Sequence, residues 1–361
     1  MTIFFLVMAL TACQQSEEQK QVAEHETELG TTSITDDAQE STNQEKLPIE
    51  LTENEARFLV DDLFDIVDGD FIYNEIHRTL TMTIHDDQYH LIEGVPVLER
   101  NGEYLPTEDI YLMSEEEQQH YLPVAFLEKG LNLDIGYEEE IVVFDWFGPV
   151  EKVGGPPENF GFEKWGADEM VDYLSFLEKP IKDAEVSTIS SHLPGAERAY
   201  RNGYHEGIDW YDFASGGDIS TDTPVYAMAE GVVVRVDHDF EEYSSPEERN
   251  DDLKLTAALE ETPEYIFDRL RGRQVWVQYD HGVMNRFAHL DDVPESLQVG
   301  DPVDKDTVIG YVGNSGTSGA VNQDSSELHL HQDLLIYGEL FWKPLSQEEV
   351  RDVLVRIFQA K

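Results

Sequence analysis

Near its C-terminus the chain reads Glu327-Leu328-His329-Leu330-His331-Gln332-Asp333-Leu334. On a β-strand side chains alternate between faces, so His329 and His331 point the same way, roughly 6–7 Å apart. Two imidazoles on one face suggest a metal site, although such a pair also serves as an ordinary solvated face. A second cluster must supply the missing ligands.

Tyr204-His205-Glu206-Gly207-Ile208-Asp209 offers one. An extended backbone puts the imidazole and the carboxylate, four positions apart, on one face. Gly207 between them allows close approach of another backbone or a ligand. Alone, this spacing is common by chance. Between the clusters run the turn Thr223-Pro224-Val225-Tyr226-Ala227, the β-branched run Gly231 to Val236, and Val275 to Tyr279 leading into Asp280-His281-Gly282. Arg286-Phe287-Ala288-His289-Leu290, Val299 to Val303 and Val308 to Gly316 follow. Short strands separated by glycine turns predict a mostly β domain.

The succession from Tyr204 to Pro344 resembles the lysostaphin-type zinc endopeptidases of bacterial cell walls. The resemblance implies an antiparallel-sheet peptidase fold and a bound Zn2+, with His205, Asp209 and His331 as its ligands. It makes His289 and His329 the catalytic pair beside the metal; Phe287 stands where the family usually carries tyrosine. The chemistry agrees, because two neutral imidazoles and one carboxylate leave zinc an open position for water. Zinc in such a site acidifies that water and polarises a carbonyl. With no His-Glu-X-X-His helix, proton handling falls to His289 and His329, whose ordinary pKa is about 6.5. One would accept the water proton and the other stabilise the oxyanion; the sequence does not say which. Tyr200 or Tyr204 either adds a hydroxyl to that oxyanion or simply packs. His281 reads as a turn residue and His238 as loop surface.

Two stretches depart from the family pattern. An acidic insertion over 237–273, including Glu241-Glu242-Tyr243-Ser244-Ser245-Pro246-Glu247-Glu248, is expected to flank the cleft as a lid or specificity wall, with a helix from Leu253 to Leu270. Val321 to Glu327 replaces the short glycine-containing approach to the histidine pair.

The chain has 361 residues, 40% of them hydrophobic, enough for two domains with real cores. The formal charge of -52, from 76 acidic and 24 basic residues, would repel a phosphate backbone and argues against nucleic-acid binding. The single cysteine, Cys13, excludes an internal disulfide and a Cys-rich zinc cluster. Ile3 to Leu10 is apolar and too short to span a bilayer. With the Leu10-Thr11-Ala12-Cys13 that follows, it resembles a bacterial lipoprotein signal, although Met1-Thr2-Ile3 lacks the usual positive charge. The resemblance implies a signal peptide over 1–12, a lipid on Cys13, and a chain anchored to the cell membrane facing outward.

Residues 13–46 are acidic and polar and read as a disordered tether of roughly 30 Å reach. Residues 47–155 read as a small α+β accessory domain. It opens with a capping box at Thr52-Glu53-Asn54-Glu55 ahead of a helix bearing Leu59, Val60, Leu63, Phe64 and Val67, and it includes a type I′ hairpin at Asn101-Gly102. Between Tyr89 and Phe144, the runs Gly94-Val95-Pro96-Val97, Asn101 to Pro106, Tyr121 to Phe126 and Ile141 to Phe144 resemble the copper amine oxidase N-terminal-like domain, a resemblance that implies no copper site. Gly154-Gly155-Pro156-Pro157 marks a boundary. Then come a linker with a helix (156–195), the peptidase domain (196–347), and a C-terminal helix (348–361) capped by Ser346 and Glu349.

The expected activity is hydrolysis of peptide bonds in peptidoglycan stems or cross-bridges. The alternative is a non-catalytic scaffold or regulator of other wall hydrolases, bound to peptidoglycan and wall-assembly proteins. The retained set His205, Asp209, His289, His329 and His331 favours the enzyme.

Overall fold

A computed structural model of the chain describes residues 43–52, 55–115, 118–148, 151–259 and 261–358, all within one compact unit. The expected signal peptide, Cys13 and the tether up to residue 42 lie outside the described residues.

Leu330–Ile336 is the strand that positions everything else, with all seven residues buried. Antiparallel neighbours flank it on both sides, Ile208–Trp210 on one and Val283–Ala288 on the other. The sheet continues through Val275–Tyr279, Gly231–Val236 and Pro302–Val303. A smaller antiparallel sheet holds Pro224–Tyr226, Val308–Val312 and Leu290–Asp292. The mostly antiparallel β architecture expected of the C-terminal half is what the structure has.

Strand alternation then sorts the two faces. Leu330, Leu334 and Ile336 enter the main core with Ile208, Trp210, Val275, Val277, Val283 and Phe287. Burying each such side chain contributes about 1.5–3 kcal/mol. Leu335, of opposite parity, joins Val234, Trp276 and Met284 in a separate small core. That core is completed by Ile92, Val95, Val97 and Tyr104 from the N-terminal half. One face of the sheet therefore carries the main core. The other carries His331 and Asp333 at one end and the N-terminal half, docked on Leu335, at the other.

The N-terminal half has its own core and a five-stranded antiparallel meander from Gly69 to Leu105. Asn101 and Gly102, at φ 54° and 84°, turn the last hairpin, the double positive φ that a type I′ turn needs. The helix expected from Thr52 is corrected. Thr52 does accept the Glu55 N–H, but Glu50–Leu51 pairs antiparallel with the strand Ala56–Leu59. Among the described residues of that stretch, only Val60–Phe64 is helical. Burial of Phe58 within a sheet outweighs the local capping signal. The strand Gln44–Pro48, paired with Ile141–Asp145, takes in the last residues assigned to the tether.

Two further expectations change. The 156–195 segment, read as a linker with a helix, packs Phe162, Met170, Leu174, Leu177 and Ile181 into the main core. Its helix, Ala167–Leu174, shares that core with the C-terminal helix Gln347–Phe358, whose first turn Ser346 and Glu349 cap reciprocally. The insertion forms two helices rather than one, Pro246–Ala258 and Glu264–Arg271. Pro246 sits in the first turn behind the Ser245 cap, and Pro263 precedes the second helix, where a proline ring cannot continue the first.

Candidate metal centre

The register of the central strand sets Asp209 directly opposite His331, with Ala288 on the other flank and His289 next in line. His205 enters from the loop before Ile208–Trp210, pinned by its backbone N–H to the Ala196 carbonyl at 2.7 Å. Gly207 explains the close approach of these segments. A Cβ there would lie 2.2 Å from the Gln332 carbonyl oxygen and 2.8 Å from Asp333 Oδ1.

Three donor atoms converge. His205 Nε2 lies 2.9 Å from Asp209 Oδ1 and 3.2 Å from His331 Nδ1, and His331 Nδ1 lies 2.9 Å from the same carboxylate oxygen. All three residues are buried, and their ligand atoms lie within 4.8 Å of one another. The outer nitrogens show which lone pairs face inward. His205 Nδ1–H donates to the Leu193 carbonyl at 3.1 Å, and His331 Nε2–H donates to Asp333 Oδ1 at 2.8 Å. His205 Nε2 and His331 Nδ1 are then the nitrogens whose lone pairs a cation would take, facing each other and an anionic oxygen; without a cation, the same acids favour a proton on His331. Such a cluster calls for a cation, and two imidazoles with one carboxylate form a donor set that suits zinc.

Electrostatics carry the same sign. Burial opposes ionisation of Asp209, but the His205 and His329 rings hold its carboxyl well below the usual range. Burial also opposes a charge on His331, yet Asp333 and Asp209 push it up to about 9. Burial lowers His205 despite Asp209. Asp333 itself is fully buried and stays ionised despite that burial, because the Arg271 guanidinium donates to its Oδ2 at 2.9 Å. Arg271 in turn stacks over Phe267.

His289 and His329 stand beside the trio. His289 Nδ1–H donates to the Ser315 carbonyl at 2.7 Å and His329 Nδ1–H to the Glu327 carbonyl at 2.6 Å, leaving each Nε2 for the cleft. Their ring centroids are 4.7 Å apart. His329 Nε2 is 3.5 Å from Asp209 Oδ1, farther than either proposed ligand nitrogen. Burial, with His329 and His331 adding to it, drives the His289 pKa well down. His289 also holds a left-handed backbone, φ 60°, where the chain leaves the Val283–Ala288 strand.

Around these groups lies a cleft of 270 Å³. The insertion walls one side of it with Arg249, Leu253, Phe267, Leu270 and Arg271. Both candidate tyrosines are exposed; Tyr200 lines the cleft, whereas Tyr204 leans on Trp342. A different tyrosine packs against the histidines: Tyr211 stacks on His329 at 4.2 Å and 12°. Phe287 is buried in the main core. His281 occupies its expected turn at φ 61°, and His238 bonds the Leu297 carbonyl away from the site.

The motif reading missed Asp333, Arg271, Tyr211 and Arg198, the last of which donates to Asp209 Oδ2 at 3.3 Å. A signal existed for Asp333, which follows His331 by two and so shares its face. Tyr211 likewise follows Asp209 by two. Nothing in the sequence ties Arg271, in the insertion, to this strand.

No protein-family model matches the chain, and no curated protein matches it. The resemblance of Tyr89 to Phe144 to a copper amine oxidase N-terminal-like domain has no support from these comparisons. Solved structures do show similarity. The catalytic domain of the antimicrobial peptidase lysostaphin from Staphylococcus simulans is 19% identical, over 41% of this chain and 74% of that one, with a TM-score of 0.24. A zinc-containing peptidase from Vibrio cholerae is 12% identical, over 71% of this chain and 56% of that one, with a TM-score of 0.29. A chain of the SpoIIIAH and SpoIIQ complex is 22% identical, over 45% of this chain and 94% of that one, with a TM-score of 0.28. These are likenesses of fold at low identity and low score, and the functional reading of the site stands on its own geometry.

Proposed function

We propose that the chain is a zinc-dependent endopeptidase that hydrolyses peptide bonds in peptidoglycan stems or cross-bridges, working outside the cell membrane from a lipid anchor on Cys13. The observation that carries the reading is the convergence of His205 Nε2, Asp209 Oδ1 and His331 Nδ1 within one cleft, with two further histidines beside them. The peptidoglycan target and the anchor come from the motif resemblances in the sequence.

Zinc, when bound by that trio, supplies a Lewis acid that polarises the scissile carbonyl and acidifies water. The protein supplies the proton handling. His289 and His329 each have Nδ1–H fixed on a backbone carbonyl, so each ring is oriented and each Nε2 is free to exchange a proton or donate to an oxyanion. Tyr211 keeps the His329 plane in place by stacking, and burial holds its hydroxyl protonated. Arg198 takes the Asp209 oxygen that the other donors leave free.

The test is elemental analysis of the purified chain together with mass spectrometry of fragments released from defined wall preparations, with and without chelator. One zinc per chain and chelator-sensitive release of peptide fragments are expected. A folded protein that binds no zinc would sink the enzyme reading and favour the wall-binding scaffold.

A further inference from the structure

Among the described residues, the insertion presents a cation that no carboxylate neutralises. The cleft is lined by Arg198, Arg201, Arg249 and Arg271. Two of these are fully occupied. Arg201 makes a paired contact with Glu206 at 3.0 and 2.6 Å, and Arg271 is clamped to Asp333. Arg198 is turned to the far oxygen of Asp209. Arg249 differs, because among the described residues its side chain makes one hydrogen bond, from Nε to the Gly316 carbonyl at 2.8 Å, and has no carboxylate at ion-pair distance.

That bond also fixes where Arg249 stands. Gly316 is gripped from both sides by the insertion, its N–H donating to Glu242 at 2.8 Å while its carbonyl takes Arg249. Gly316 follows Ser315, whose carbonyl orients His289, and precedes Thr317, which lines the cleft. The insertion is therefore bolted to the wall of the site rather than suspended over it. Its helix Pro246–Ala258 sets Arg249 in the cleft lining beside Leu253, with the terminal guanidinium nitrogens making no hydrogen bond among the described residues.

On a chain carrying 76 acidic and 24 basic residues, a cation without a carboxylate partner in a cleft is what an anionic group needs in order to bind against the surrounding field. A guanidinium with two free terminal nitrogens matches a carboxylate in particular, as a planar fork on a planar acceptor. We propose that the insertion makes this a carboxylate-reading cleft: Arg249 binds a free carboxylate on the peptide that enters it, so peptides bearing that carboxylate are preferred over their carboxamide counterparts. This rests on the reading of the cleft as a peptide-hydrolysing site.

The experiment uses the full zinc-loaded chain and two synthetic peptides, alanyl-γ-D-glutamyl-lysyl-D-alanine and the same peptide with the glutamate α-carboxylate converted to carboxamide. Both are blocked at their termini so that this group is the sole difference, and a fluorescent label gives Kd by anisotropy. The carboxylate peptide is expected to bind on the order of tenfold more tightly, the scale of one charge-assisted hydrogen bond. Arg249→Gln is expected to raise its Kd to that of the carboxamide peptide while zinc content stays unchanged, and Arg249→Lys to restore part of the preference. A merely structural Arg249 would weaken both peptides alike. Equal Kd values for the wild-type chain, or a preference that survives Arg249→Gln, would overturn the proposal. Selective binding without cleavage of either peptide would instead leave the carboxylate site standing and count against the hydrolase.

Discussion

Asp333 holds His331 from behind: the imidazole Nε2–H donates to Asp333 Oδ1 at 2.8 Å, which commits Nδ1 to the side where His205 and Asp209 converge. A carboxylate in this position fixes both the tautomer and the plane of a metal-binding histidine. Asp333→Asn is therefore expected to weaken zinc binding by roughly tenfold to a hundredfold. It also strips the buried Arg271 of its counter-charge, at a cost of about 3–5 kcal/mol. Adding Arg271→Met should recover much of that stability without recovering the metal. Competition with a chelator measures zinc affinity, and chemical denaturation measures stability. Unchanged zinc affinity in both variants would show that Asp333 serves folding alone.

The two histidines of the opening motif have different surroundings. His331 Nδ1 belongs to the converging trio, while His329 stands outside it, stacked on Tyr211 with its Nδ1–H on the Glu327 carbonyl. His331→Ala is expected to abolish stoichiometric zinc, and His329→Ala to retain zinc while cutting turnover by a hundredfold or more, the usual scale of a lost general acid or base. Zinc content and peptide release are measured on the same preparations. Equal zinc loss from both variants would overturn the division.

Gly207 is where the His205 and Asp209 segment touches the central strand. A methyl group there meets the Gln332 carbonyl at 2.2 Å, and backbone cannot swing aside as a side chain can. Gly207→Ala is expected to cost about 1–3 kcal/mol, in the range of other overpacking changes. It should lower zinc affinity too, because Asp209 and His331 face each other across the same pair of strands. A thermal melt and a chelator titration check both; a variant as stable and as zinc-avid as the parent would mean that the strands part freely.

These contacts show what could be read from residue order alone. The five residues His205, Asp209, His289, His329 and His331 sit in short motifs whose alternation fixes their face, and the structure brings all five to one cleft. The Asn101-Gly102 hairpin was legible for the same reason, since a two-residue turn contains its own cause. The capping box at Thr52 misled because its hydrogen bond is real, yet the strand that follows is decided by Phe58 and its distant partner Leu122. Arg271 could not be found at all: it reaches Asp333 across 62 positions, from an insertion with no motif. Pro263 was in plain view, and its break in the insertion helix shows that a local proline outweighs a run of favourable composition.

Two histidines of the N-terminal half meet acids of the insertion. His77 Nε2 lies 3.1 Å from Glu261, and His90 Nε2 lies 3.1 Å from Glu264. Burial works against a charge on His90, but Glu264 prevails and raises its pKa, while burial works against ionised Glu264 and His90 lowers it. A raised histidine stabilises the fold below its unfolded value, about 6.5, and loses that contribution as pH rises through the folded value. A lowered glutamate stabilises above its unfolded value, about 4.3, and loses that as pH falls through the folded value. The pair is therefore strongest between these limits, near pH 5–6. Because both side chains keep some contact with solvent, its worth is on the order of 0.5–1 kcal/mol. His90→Gln is expected to lower the melting temperature by about 1–2 °C at pH 6 and by less at pH 8.5. A gap between variant and parent that is the same at both values would mean that His90 contributes packing rather than charge to the contact between the N-terminal half and the insertion.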